Sequence, residues 1–271
     1  MNELKVGLVL SAGGAKGLAH IGVIKVLEKN KIPIHCISGT SAGALIGGVY
    51  ASGVSIDKIE EIVLSMNYKE LAKLIDLTKP TTALIKGDKI NQFILKKLHK
   101  QRIEDFKIPF AAVAADLLTS RKVILDKGDA VTAIRASGSL PGIFKPVRYK
   151  GMFLIDGGVV DPLPVDVAKD MSADVIIAVN LTGSSKINSK YFNKSKEPNI
   201  VDTLLASIGI FERQIINLTL EKVKDKNMIL IRPDVSKIGI RDFVKAKKAI
   251  KQGEIATEEK IDEILKVIKE R

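Results

Sequence analysis

Residues 37–48 read ISGTSAGALIGG. The stretch sets one hydroxyl, Ser41, between Gly39 and Gly43, where an apolar β-branched run ends and a run of small residues begins. A strand, a sharp turn and a helix in that order are the context a nucleophile elbow requires. Glycines two residues to either side let strand and helix approach closely and leave the serine oxygen exposed. A bare G-x-S-x-G also arises by chance in chains rich in Gly and Ser, so a packing turn or a phosphate-binding turn remains open on the pentapeptide alone.

Upstream, KVGLVL (5–10) has the length and composition of a buried strand, and the glycine-rich SAGGAKG (11–17) follows it. Leu18, Ile21, Val23, Ile24 and Leu27 then recur at helical spacing. IHCIS (34–38) reads as a second strand and AGALIGGVYASG (42–53) as a second helix. Two strand–turn–helix units within about fifty residues indicate βαβ connections and a parallel sheet.

Residues 55–107 are mostly polar and helical, with SIDKIEEIVLSM and GDKINQFILKKLHKQ as amphipathic candidates. PFAAVAAD and RKVILD read as strands, DAVTAIRAS as a helix, and Phe153–Ile155 and Val175–Val179 as short buried strands. The stretch 182–199, TGSSKINSKYFNKSKEPN, reads as a polar loop. After it come a long amphipathic helix near Val201–Val223, a strand in NMILIRP and a basic helical end. One domain over 1–271 is expected, with a motif-bearing core at about 5–180, a helical insertion at about 55–107 and a helical region at about 201–271.

The chain has 271 residues and carries 43 Lys and Arg against 31 Asp and Glu, a formal charge of +12. That excess predicts attraction to anionic surfaces such as phospholipid headgroups. The lysines are scattered and aromatics make up only 4%, so a nucleic-acid partner is not expected. The single cysteine, Cys36, forms no internal disulfide. The opening MNELKVGLVLSAGG does not read as a signal peptide, and no apolar run reaches the roughly 18 residues of a membrane span. The expected location is the cytoplasm, with peripheral membrane contact as its extension.

If Ser41 is a nucleophile, a base must take its proton. In the α/β-hydrolase order the histidine follows both nucleophile and acid. Here His20 and His35 precede Ser41, His99 lies in the polar KKLHKQ, and no histidine follows Asp156. A Ser-His-Asp triad is therefore not expected. Asp156, at the end of GMFLIDGG, is the best candidate, because an apolar strand would deliver its carboxylate to the same sheet edge while Gly157 and Gly158 turn the chain away. Partial desolvation would strengthen it as a base. The turn at Gly13, Gly14, Lys16 and Gly17 departs from a Walker loop, since Gly17 and not Ser or Thr follows Lys16. It suits either a phosphate cradle or an oxyanion hole built from the Gly13 and Gly14 amides, with Lys16 adding positive charge. The histidines lack metal-ligand spacing, so no metal and no cofactor are expected.

The glycine-rich loop, G-x-S-x-G and Asp156-Gly157-Gly158, in this order and each after a strand, resemble the patatin-like phospholipase family. So do GGAKGLAHIGVIKVLE (13–28), ISGTSAGALIGGVYASG (37–53), IPFAAVAADLLTSRKVIL (108–125), AIRASGSLPGIFKPV (133–147), FLIDGGVVDPLPV (153–165) and ADVIIAVN (173–180), which look like successive blocks of its bacterial branch. The resemblance implies a three-layer α/β/α sandwich with a mainly parallel sheet and a Ser-Asp pair without histidine. It places the nucleophile on Ser41, the base on Asp156 and the oxyanion hole on Gly13 and Gly14, joined by the Ala42 amide. The implied activity is cleavage of lipid or other acyl esters through an acyl-enzyme, with acyl transfer to another alcohol, or phosphate or nucleotide binding, as alternatives. The chain departs from the family at Ala12, where a third glycine is usual, and at Lys16, where Arg is frequent.

Overall fold

Two interleaved sets of side chains make β1 (Val6–Leu10) a strand buried on both faces: Val6, Leu8 and Leu10 pack to one side and Val9 to the other. The split recurs in β7 (Val175–Val179), where Val175, Ile177 and Val179 oppose Ile176 and Ala178. Strands apolar on both faces need helices on both. The computed structural model, which describes residues 4–78, 83–182, 197–223 and 227–269, supplies them. Residues 183–196 of the stretch read as a polar loop lie outside the described residues.

The remaining strands are β2 (Cys36–Thr40), β3 (Phe110–Asp116), β4 (Lys122–Leu125), β5 (Val147–Tyr149), β6 (Met152–Asp156) and β8 (Met228–Ile231). The helices are α1 (Ala19–Lys29), α2 (Ala42–Ala51), α3 (Ile56–Leu64), α4 (Tyr68–Lys73), α5 (Asp88–Lys97), α6 (Ala130–Ser137), α7 (Val165–Asp170), α8 (Ile200–Lys222), α9 (Ala246–Glu258) and α10 (Ile261–Lys269). Side chains of α1, α2, α6 and α9 share the larger core with Leu8 and Ile177, whereas α7 and α8 cover Val9, Ile176 and Ala178. This is the expected three-layer α/β/α arrangement. Among the described residues, no helix is long and apolar enough to cross a membrane.

The sheet has eight strands, with β8, β7, β1, β2 and β3 running parallel in that order. Three antiparallel pairings complete it, β3 with β4, β3 with β6, and β5 with β6, so the sheet is mixed. Val113 pairs with both Thr40 of β2 and Ile124 of β4, while Ala114 pairs with both Val123 of β4 and Asp156 of β6. A strand has two flanks, so β4 holds one and β2 and β6 share the other, meeting end to end. That corrects the expectation that Asp156 leaves a strand pointing the same way as β2. The carboxyl ends of β2 and β6 approach from opposite directions on consecutive residues of β3, and this is what brings their residues together. The strand β5 goes beyond what the sequence predicts, since three residues are too few to show a period.

Candidate active site

Ser41 occupies the turn between β2 and α2 at φ 55°, ψ −117°, a conformation that costs a non-glycine residue about 1–3 kcal/mol. Close packing holds it there. A Cβ at Gly43 would stand 2.1 Å from the Leu10 carbonyl oxygen, and one at Gly39 would stand 2.7 Å from the Ala44 nitrogen. Only glycine at both positions lets α2 start this close to the ends of β1 and β2. The Ser41 N–H donates to Ser137 Oγ at 2.9 Å, and that hydroxyl donates to the Val113 carbonyl at 2.6 Å. Ser137 thus ties the elbow to β3. Ser137→Ala is expected to lower stability by about 1–3 kcal/mol, because it strands a buried carbonyl and leaves the elbow N–H without its acceptor. Urea unfolding compared with wild type measures it; an unchanged midpoint would show that the elbow does not depend on this tie.

Asp156 reaches the elbow from the other direction. Its N–H donates to the Ser139 carbonyl at 2.9 Å, and Oδ1 accepts from the Gly158 N–H at 2.8 Å. Gly157 permits the approach, since a Cβ there would stand 2.3 Å from the Val113 carbonyl oxygen. The carboxyl is 1% exposed, and Oδ2 is buried without a well-formed hydrogen bond. Burial pushes its pKa up to about 6, while the nearby Ser41 hydroxyl and the Gly158 N–H favour the carboxylate and restrain the rise. An acid held near neutrality beside a serine hydroxyl can both take and return a proton.

The loop after β1 lies beside this pair because β1 and β2 are parallel neighbours, Leu10 opposite Gly39. Its amides divide into two sets. Ala12 N–H donates to the Pro162 carbonyl and Ala15 N–H to the Ile240 carbonyl, each at 2.9 Å. Gly13 and Gly14 N–H find no acceptor among the described residues, and neither does Ala42 N–H in the first turn of α2. Unpaired amides at a helix start are suited to an anion or a developing oxyanion. Gly14 has φ 55° and a Cβ there would stand 2.6 Å from the Ile240 carbonyl oxygen, so glycine fits where a side chain would not, whereas Ala12 is not at positive φ and substitutes for a third glycine without strain. Gly17 allows the loop to touch α2, since a Cβ there would lie 2.3 Å from Ala42 Cβ. Lys16 is half-buried; burial first and Arg213 second lower its pKa, while Glu212 opposes them.

None of the histidines takes the base position. His20 is fully buried with Nε2 2.9 Å from the Ser11 carbonyl, and burial lowers its pKa to about 4, so the neutral ring donates to the loop it braces. His35 Nδ1 accepts from Val6 N–H at the opposite, amino end of the strands. His99 is exposed beyond α5. Three residues escaped the sequence reading. Ser137 and Ser139 lie in the block 133–147, where the sequence assigns neither a role, yet the Ser137 hydroxyl accepts from the Ser41 N–H and the Ser139 carbonyl from the Asp156 N–H. Glu212 of α8 lies against Gly158, in a buried stripe with Leu205, Ile208 and Ile216. An acid at core spacing in an amphipathic helix was the available signal.

The family profile described as "Patatin-like phospholipase" matches residues 8–169, a span that holds Ser41, Asp156 and the loop after β1. An uncharacterized NTE family protein of Mycobacterium tuberculosis is 36% identical over 196 residues, covering 72% of this chain and 53% of that protein. A lysophospholipase NTE1 of Scheffersomyces stipitis is 32% identical over 259 residues, covering 89% of this chain and 17% of that protein. The chain therefore spans about half of the first relative and a small part of the second. Among solved structures, VipD from Legionella pneumophila has a similar fold, with TM-score 0.53 at 15% identity over 97% of this chain and 67% of that one. With the profile covering more than half of its length, the chain belongs to the patatin-like phospholipase family.

Proposed function

We propose that the chain is a serine acyl hydrolase of the lipase, phospholipase or lysophospholipase type. Asp156 Oδ2 takes the proton of Ser41 as Ser41 Oγ attacks an ester carbonyl. The Gly13 and Gly14 amides, with Ala42, hold the oxyanion. On collapse the carbonyl–alkoxy bond breaks and the Asp156 carboxylic acid returns the proton to the leaving alcohol, leaving an acyl-Ser41 ester. The Asp156 carboxylate then takes a proton from water as its oxygen attacks the acyl group, and on collapse the acyl–Oγ bond breaks and Asp156 returns that proton to Ser41 Oγ, freeing the acid product. The observation that carries the reading is the end-to-end meeting of β2 and β6 on β3, which sets a strained serine beside a buried acid. Family membership and the lysophospholipase names of relatives support a lipid ester. The charge of +12 suits peripheral contact with an anionic lipid surface.

Incubation with lysophospholipid, phospholipid and short-chain esters, with lipid products profiled against Ser41→Ala, tests the reading; fatty acid release by wild type alone is expected. Tight nucleotide binding with no ester turnover would reverse it. On a neutral ester, kcat/KM is expected to fall about tenfold per unit as pH drops below about 6, because protonated Asp156 accepts no proton. A pH–rate profile flat through that range would remove Asp156 from the base role.

A further inference from the structure

The buried face of α8 is apolar except at one position. Leu205, Ile208 and Ile216 pack inward, and Glu212 in the same stripe is 7% exposed. A Cβ at Gly158 would stand 2.5 Å from Glu212 Oε1 and 3.2 Å from Asp156 Oδ1, so the two carboxyl groups flank one small residue. Among the described residues, the charged groups facing Glu212 are Asp156 from β6 and Lys16 from the turn after β1. Arg213, its neighbour on α8, acts on Lys16. Two carboxylates this close in a water-poor space do not both ionise at neutral pH, as like charges and desolvation both oppose it. Asp156 has the Gly158 N–H and the Ser41 hydroxyl to favour its charged form. No such donor is recorded for Glu212 among the described residues, so the shared proton stays on Glu212.

We propose that Glu212 is a positioning residue of this site: as a neutral acid across Gly158 it confines the buried pair to one negative charge, held on the Asp156 carboxylate that faces Ser41. The proposal rests on the acyl hydrolase reading for its use, though not for its chemistry. Burial, then the Asp156 charge, raises the Glu212 pKa to about 8, and Lys16 opposes them. Glu212 exchanges no proton during turnover. When Asp156 takes the Ser41 proton the pair becomes neutral, and the only new charge is the oxyanion. Ionised Glu212 would add a second charge against that oxyanion and slow the reaction.

Two arms test this with Glu212→Gln and Glu212→Ala. In the first, thermal unfolding is followed from pH 4.5 to 8.5. A folded acid that holds its proton to about pH 8, against 4.5 when free, loses stability as pH rises between those values. Glutamine cannot titrate, so Glu212→Gln is expected to gain on wild type across that window, by roughly 10 °C in Tm at its upper end. A gap constant with pH would overturn the proposal. In the second arm, kcat for a neutral ester is expected to drop about tenfold in Glu212→Ala and to recover largely in Glu212→Gln. Wild type should also lose activity above pH 8 while Glu212→Gln does not. A shared alkaline limb, or Gln as damaging as Ala, would overturn it. The unfolding arm needs no turnover, so a chain inert to esters would fail the hydrolase reading without failing this one.

Discussion

Ser41→Ala is expected to lower kcat on any ester the wild type hydrolyses by on the order of 10⁵-fold, since it removes the atom that forms the acyl-enzyme and no second nucleophile is set on the elbow. Folding should persist, because the turn is imposed by close contacts at Gly39 and Gly43 and by the Ser137 bond to the Ser41 N–H, none of which uses the lost hydroxyl. The backbone at φ 55° remains strained for alanine. Glycine carries no such penalty, so Ser41→Gly should be equally inactive yet more stable than wild type by about 1 kcal/mol, the usual sign of strain kept for function. Kinetics on a short-chain ester together with urea unfolding read both effects. An alanine variant within tenfold of wild type would remove Ser41 from the chemistry.

Asp156→Asn is expected to cost about 10³- to 10⁴-fold in kcat with little change in KM, as an amide keeps the shape and the Gly158 bond but accepts no proton. The same substitution should change stability in the opposite sense. The folded carboxyl holds its proton to about pH 6 against 3.8 when free, so wild type is favoured below about pH 4 and loses that advantage as pH rises to 6. The asparagine variant lacks this dependence and should gain up to about 3 kcal/mol on wild type across the window. Near-normal turnover in Asp156→Asn, or parallel stability curves, would contradict a buried carboxylate acting as base.

The parallel half of the fold was legible because β1, β2 and β7 are short apolar runs and α1 and α2 follow glycine-rich turns, so local pattern and tertiary role agree. The direction of β6 was not. Residues 153–155 look alike whether the strand runs with β3 or against it, and only the register of Asp156 opposite Ala114 decides. For the same reason the sequence offers Asp156 as a candidate but not the route by which it comes beside Ser41. Gly39, Gly43 and Gly157 could be read from sequence as turns, and the structure gives them a sharper role as points where backbone passes backbone. Ser137 and Ser139 carried no signal of their own, since a serine at a helix end reads equally as surface and a backbone carbonyl leaves no mark in the sequence. Glu212 did carry one, but one acid on the buried stripe of a 23-residue helix shows nothing of its partner until Gly158 is placed beside it.

Activation of the elbow serine by a buried aspartate arriving from the opposite direction is read out by reaction with a fluorophosphonate followed by peptide mass spectrometry. One adduct, on Ser41, is expected in wild type, forming much more slowly in Asp156→Asn and absent in Ser41→Ala. No adduct on Ser41 in the folded wild-type protein, or labelling at an undiminished rate in Asp156→Asn, would contradict it.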